Sequence, residues 1–166
     1  MKRRPYYLIV WFALATLIGG CAIISPSNHR TEDYTPIFAA ATGGDLTTVR
    51  GAVDKDPALL KATEWDNATL LHDAVGQKQA DIAAYLLDKG ADVNAVTKDG
   101  LTPLHMAAQN GDITIITLLL EPGRKTKIDP IDSKGWTPLD RAVKWDHPDA
   151  AEFLRQHGAH EGKAAH

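Results

Sequence analysis

The sequence predicts an all-α solenoid of about four helix-turn-helix repeats with hairpin loops, and three observations predict it. "TLLHDAV" at Thr69, "TPLHMAA" at Thr102 and "TPLDRAV" at Thr137 are spaced by 33 and 35 residues, and a degenerate "TPIFAAATGGDLTTV" starts at Thr35, 34 residues before Thr69. Self-similarity at such a period is the signature of a repeat array. Within a copy, two short apolar helical patterns flank a glycine turn, and "LLDKGADVNA" and "HGAH" close the second and fourth copies at Gly90 and Gly158. The repeats fall near residues 34–66, 67–99, 100–134 and 135–160.

The third copy justifies each element in turn. Thr102 is a cap that accepts an orphan backbone N–H, and Pro103 suits the first helical position. Leu104, Ala107 and Ala108 make one side of this helix apolar, with small residues where helices approach closely, and Asn110-Gly111 ends it. A second helix begins at Asp112, and Ile113, Ile115, Ile116, Leu119 and Leu120 require cover on more than one side before Pro122-Gly123 stops it. Gly90 supplies a left-handed cap in the copy before, and Ala91 to Ala95 run out as an extended turn.

"TPLH" at Thr102 to His105, its partial versions at Thr69, Thr137 and Thr35, and "GADVNA" at Gly90 to Ala95 recur in register, and the chain thereby resembles the ankyrin repeat family over about three quarters of its length. The resemblance implies that His72 and His105 hydrogen-bond neighbouring turns. Departures mark the ends: Phe38 and the longer "VDKDPALLKA" in the first copy, and Asp140, Pro148 and polar Arg155-Gln156 in the fourth, read as capping repeats with polar outer faces. "EPGRKTKIDPID" adds two residues and three basic side chains, Arg124, Lys125 and Lys127, to the third hairpin.

Catalytic constellations are missing: there is no HExxH helix, Walker phosphate loop, GxSxG elbow or CxxC pair, so a non-enzymatic role without cofactors is expected. Gly43-Gly44-Asp45 reads as a tight turn. His157, His160 and His166 cluster near the C-terminus with Glu161, where a surface metal or haem contact competes with a solvated, frayed tail; the tail is the expectation, because metal sites hold their ligands in fixed geometry.

The resemblance further implies that a partner protein binds the concave side, through hairpin tips and the exposed ends of the first helices. Carried over position by position, the tips are Trp65, Asp66 and Ala68, then Lys98, Asp99 and Leu101, then Ser133, Lys134 and Trp136; the helix ends are Gly76 and Gln77, then Gln109 and Asn110, then Lys144 and Trp145. Of the four tryptophans only Trp11 lies elsewhere. Interface hot spots are enriched in tryptophan, so three on one predicted face point to protein recognition. The competing reading is that Trp136 packs on its own hairpin or on Trp145.

The N-terminal region carries a different signal. Lys2, Arg3 and Arg4 precede an uncharged apolar run from Tyr6 to Ile18, which breaks at Gly19-Gly20, the order of a secretory signal. Ile18-Gly19-Gly20-Cys21 resembles the lipobox of bacterial lipoproteins, which implies a signal peptide over 1–20, acylation (palmitate) on Cys21, and a tether over 21–33. An uncleaved signal anchor also fits the uncharged stretch from Pro5 to Ile24. Either way the repeats face the periplasm or cell exterior, and Ala22 after the cysteine favours the outer membrane. "AIISPSNHRTED" has linker composition and reaches about 40 Å when extended at about 3.3 to 3.6 Å per residue. Loss of residues 1–20 removes three of 18 Lys and Arg and none of 21 Asp and Glu, leaving 15 − 21 = −6. That acidity argues against a nucleic-acid binder and against docking on anionic lipid.

Small exported ankyrin proteins resemble two bacterial groups, companions of periplasmic enzymes such as catalases and immunity-type lipoproteins that neutralise a secreted phospholipase or other toxic effector. The expected function is therefore a membrane-anchored protein-binding module of the periplasm.

Overall fold

A computed structural model describes residues 35–162; Cys21, the predicted signal and tether, and His166 lie outside the described residues. Among the described residues eight α-helices follow in pairs: α1 (Thr35–Gly43) and α2 (Leu46–Lys55), α3 (Leu70–Gly76) and α4 (Ala80–Asp88), α5 (Pro103–Gln109) and α6 (Ile113–Leu119), α7 (Pro138–Lys144) and α8 (Pro148–Gln156). A 3-10 turn, Pro57–Lys61, follows α2, so the long end predicted for the first copy is a helix plus a turn. The helices α1, α3, α5 and α7 stack into an inner row and α2, α4, α6 and α8 into an outer row, each packing on its own partner. This is the predicted all-α repeat solenoid.

Small residues set the inner row: Ala74, Ala107 and Ala142 have no exposed surface. Outer helices bury Val49 and Val53, Ile82 and Leu86, Ile115, Ile116 and Leu119, and Leu154. Ile113 differs from expectation, being exposed at the first position of α6, because that helix is covered on two sides and not all round. Val143 is half exposed where Val75 and Ala108 are buried, since no further helix pair covers α7 among the described residues.

Local chemistry fixes each repeat. Asp45 and Asp112 cap the outer helices, accepting from Thr48 N–H and Ile115 N–H at 3.0 Å each. The projecting turns close by backbone pairs, Glu64 N–H to Ala68 O (2.9 Å), Thr97 N–H to Leu101 O (3.0 Å) and Asp132 N–H to Trp136 O (3.0 Å). Adjacent turns are joined in series by Lys98 N–H to Asp66 O (2.7 Å) and Ser133 N–H to Asp99 O (2.9 Å). These turns need a left-handed residue, supplied by Asn67 (φ 65°), Gly100 (φ 73°) and Gly135 (φ 80°).

The histidines form inter-repeat bonds. Nε2 of His72 reaches Leu101 O and Nε2 of His105 reaches Trp136 O, both at 3.0 Å. Nδ1 of each accepts the backbone N–H of its own cap, Thr69 at 3.2 Å and Thr102 at 3.1 Å. A carbonyl can only accept and an N–H can only donate, so both rings are the neutral Nε2–H tautomer. Burial pushes both histidines below their usual range, in keeping with that state.

The fourth copy solves the same problem with the opposite polarity. Asp140 Oδ2 accepts from Thr137 N–H (2.8 Å) and also from Gly162 N–H (2.9 Å), so a carboxylate faces an amide donor where histidine faces a carbonyl. The tail up to Gly162 is therefore not frayed, contrary to the sequence expectation. His157 stacks on Phe153 at 4.3 Å, and His160 donates its N–H to Asp129 (2.9 Å) while its ring Nδ1 meets the same carboxylate (2.8 Å). The irregular third loop is also engaged: Arg124 pairs with Glu121 (2.7 Å) and Asp88 (3.1 Å), and Asn94 bridges to the backbone of Lys125 and Lys127.

Candidate functional site

The projecting turns and the inner helices share one face, and side-chain contacts across it define the site. Trp136, on the third turn, meets Trp145, which caps α7, edge to face at 5.8 Å with the rings 75° apart. The Arg141 guanidinium lies 5.8 Å from the first ring and 5.3 Å from the second. Arg141 is itself fixed: Nε and Nη2 donate to Asp132 Oδ2 at 2.9 and 2.5 Å, and Nη1 donates to Gln109. Asp132 Oδ1 simultaneously accepts from the backbone of Lys134 (2.8 Å) and Trp136 (3.0 Å), tying the turn to the helix. Although burial opposes ionisation, these donors hold the Asp132 carboxyl below the usual carboxylate range. The ammonium groups of Lys134 and Lys144 flank the Trp136 ring at 5.4 and 6.0 Å. Cation–π contacts of this kind hold aromatic rings at about 0.5–1 kcal/mol each where exposed.

The predicted positions separate into two groups. Exposed and available are Trp65 (76%), Trp145 (39%), Gln77, Lys98, Asp99, Ser133, Lys134 and Lys144, with Asp66, Leu101 and the Trp136 ring half-buried beside them. Committed inside the stack are Asn110, whose amide donates to Val75 O (3.3 Å) and Gly76 O (3.0 Å), and Gln109, which holds Arg141. Ala68 is buried and Gly76 half-buried. Trp65 stands over the second turn with the Lys98 ammonium 5.5 Å from its ring. For Trp136 the competing reading applies in part, since it does pack on Trp145.

Residue-by-residue reading missed Asp73 and Arg141. Both occupy the position after the histidine or its aspartate replacement, as Met106 does in the third copy, a row on the inner helices that the repeat itself leaves variable. Desolvation, with the nearby charges of Glu64 and Asp66, pushes Asp73 up to about 7. Its folded value lies above the unfolded one, so stability is full below about pH 4 and is lost as pH rises through 7. Asp73→Asn should therefore gain stability over wild type on going from pH 5 to pH 8, by on the order of 2–3 kcal/mol. Urea midpoints of the two proteins at the two pH values check this, because other titrating groups cancel in the difference. A pH-independent difference would mean that Asp73 ionises freely.

The ankyrin-repeat pattern, in three copies, matches residues 12–97 and 90–164. The chain belongs to the ankyrin repeat family. Among curated relatives, "Probable 26S proteasome regulatory subunit p28" of Saccharomyces cerevisiae is 37% identical over 135 residues, 76% of this chain and 58% of that protein. "E3 ubiquitin-protein ligase XB3" of Oryza sativa is 36% identical over 93 residues, 55% of this chain and 21% of the ligase. "Alpha-latrocrustotoxin-Lt1a" of Latrodectus tredecimguttatus is 38% identical over 114 residues, 69% of this chain and 8% of the toxin. The chain thus spans little more than half of the first relative and small fractions of the others. Their names differ widely at nearly equal identity, so the shared element is the ankyrin stack, a protein-binding module that is generally non-catalytic.

Proposed function

We propose that the inner ankyrin face binds a partner protein through Trp65, Leu101, Trp136 and Trp145. The observation that carries this reading is the Trp136–Trp145 pair, held edge to face beside a buried Arg141–Asp132 pair, with Trp65 exposed on the first projecting turn. A ring held in place before binding loses little freedom on binding, and aromatic anchors beside charge are the composition of hot spots. The module works at a bacterial cell envelope, facing the periplasm and held by a lipid on Cys21, as an immunity-type inhibitor of a secreted phospholipase or another toxic effector. Support for the anchor comes from the residue order Lys2 to Cys21 and the lone cysteine, and support for the inhibitor role from the resemblance alone.

Two measurements test this. Cys21→Ser should lose fatty-acid labelling and membrane retention; equal retention would remove the lipid anchor. Affinity capture from native envelopes should recover an effector whose phospholipase or toxic activity falls when the protein is added. Recovery of a resident enzyme with unchanged activity would replace inhibition by an accessory role.

A further inference from the structure

Resting on the protein-binding reading of this face, we infer that it selects an extended protein segment with opposite charge at its two ends, basic over α3 and acidic over α7. At the α3 end stand Glu64 and Asp66, neither of which is ion-paired among the described residues, and beside them on α3 lies Asp73, which burial and their charges keep protonated below about pH 7. At the α7 end the Arg141–Asp132 pair cancels internally, whereas Lys134 and Lys144 are exposed and form no ion pair among the described residues. Lys98 and Asp99 lie between them and offset one another. The turn edge is therefore polar along the stack, even though the net charge of the whole chain is only −3.

The helix-helix turns carry the reverse order, Lys78 beside α3 and Asp146 beside α7, both exposed. Lys144 belongs to the turn edge nonetheless, because its ammonium reaches back to within 6.0 Å of the Trp136 ring. Complementarity along one edge fixes the register of a bound segment and rejects segments of uniform sign, since like charges face each other at one end. Two steps of helix packing, at about 8–10 Å each, separate α3 from α7 by roughly 20 Å. An extended segment covers that span with about six residues at about 3.3 Å each. Trp65 sits near the acidic end and Trp136 and Trp145 at the basic end, so an apolar side chain of the segment meets a ring near either charge.

The test pans short random displayed peptides on the full chain, on Lys134→Glu/Lys144→Glu, and on the triple Trp65→Ala/Trp136→Ala/Trp145→Ala variant, each first shown to have equal helix content. Wild type should enrich peptides with an acidic and a basic cluster about six residues apart. Those peptides should bind the double lysine variant on the order of tenfold or more weakly, and that variant should enrich peptides basic at both ends. Enrichment of peptides of a single sign, binding indifferent to the charge swap, or no enrichment would overturn the inference. Peptides lost on removing the tryptophans but indifferent to charge overturn only the polarity, whereas peptides that bind all three proteins equally overturn the protein-binding reading of the face.

Discussion

His105→Ala lowers stability by about 3–5 kcal/mol, a large share of the roughly 5–15 kcal/mol that holds a domain folded. Two hydrogen bonds are lost together. Trp136 O loses the Nε2–H donor but keeps Asp132 N–H, whereas Thr102 N–H loses its Nδ1 acceptor beside a fully buried side chain. The orphaned amide costs about 1–3 kcal/mol, the lost bond to Trp136 O adds about 1 kcal/mol, and the vacated ring volume adds a cavity cost. The lost bond joins the third repeat to the fourth, so the urea transition should also broaden as the two uncouple.

Polarity makes the prediction specific. His105→Asp should be at least as damaging as alanine, because a carboxylate would face the Trp136 carbonyl. At Asp140 the same side chain meets an amide donor instead, Gly162 N–H on Oδ2, although its Oδ1 is buried without a partner among the described residues. The sign with pH follows from the depressed histidine: its contribution is present above the unfolded value near 6.5 and is lost as pH falls. His105→Ala should therefore lose less stability than wild type between pH 7 and pH 5. Wild-type-like midpoints for His105→Ala would show that stacking alone couples the repeats.

The second large effect is on binding. Trp65→Ala and Trp145→Ala should each weaken the partner by about 2 kcal/mol or more, roughly 30-fold. Trp65 is the cleaner of the two for separating binding from folding. It is 76% exposed, so its truncation should leave stability within about 0.5 kcal/mol of wild type. Trp136→Ala mixes both terms, because its ring also packs on Trp145 and beside Arg141. Titration calorimetry of each folded variant against the captured partner checks the order, and unchanged affinity for Trp65→Ala would remove it from the contact.

Much of the fold was legible because the repeat is a local code. Thr102, Pro103 and His105 stand a few residues apart and act on one another, so "TPLH" in register announces a cap, a first helical turn and a bond to the next turn. What could not be read depends on partners far along the chain or on competition between them. Arg141 carried no signal of its own in the sequence; its burial requires Asp132 in the preceding turn and Gln109 in the preceding repeat. Asp140 looked like a lost histidine, because the amide it holds belongs to a tail with no apolar pattern. Asn110 had the exposure pattern of a contact residue, yet its amide satisfies the open C-terminal carbonyls of α3. The three tryptophans were placed on one face by register alone, whereas the edge-to-face pair and the cations around it needed side-chain geometry.

The most direct measurement of the central claim is affinity capture from native bacterial envelopes by the full chain and by Trp65→Ala/Trp136→Ala/Trp145→Ala, with equal helix content established first. The account predicts that a protein recovered by wild type is absent from, or strongly depleted in, the variant's capture. Recovery of the same proteins in equal amounts by both would contradict it and move the binding surface off the inner face.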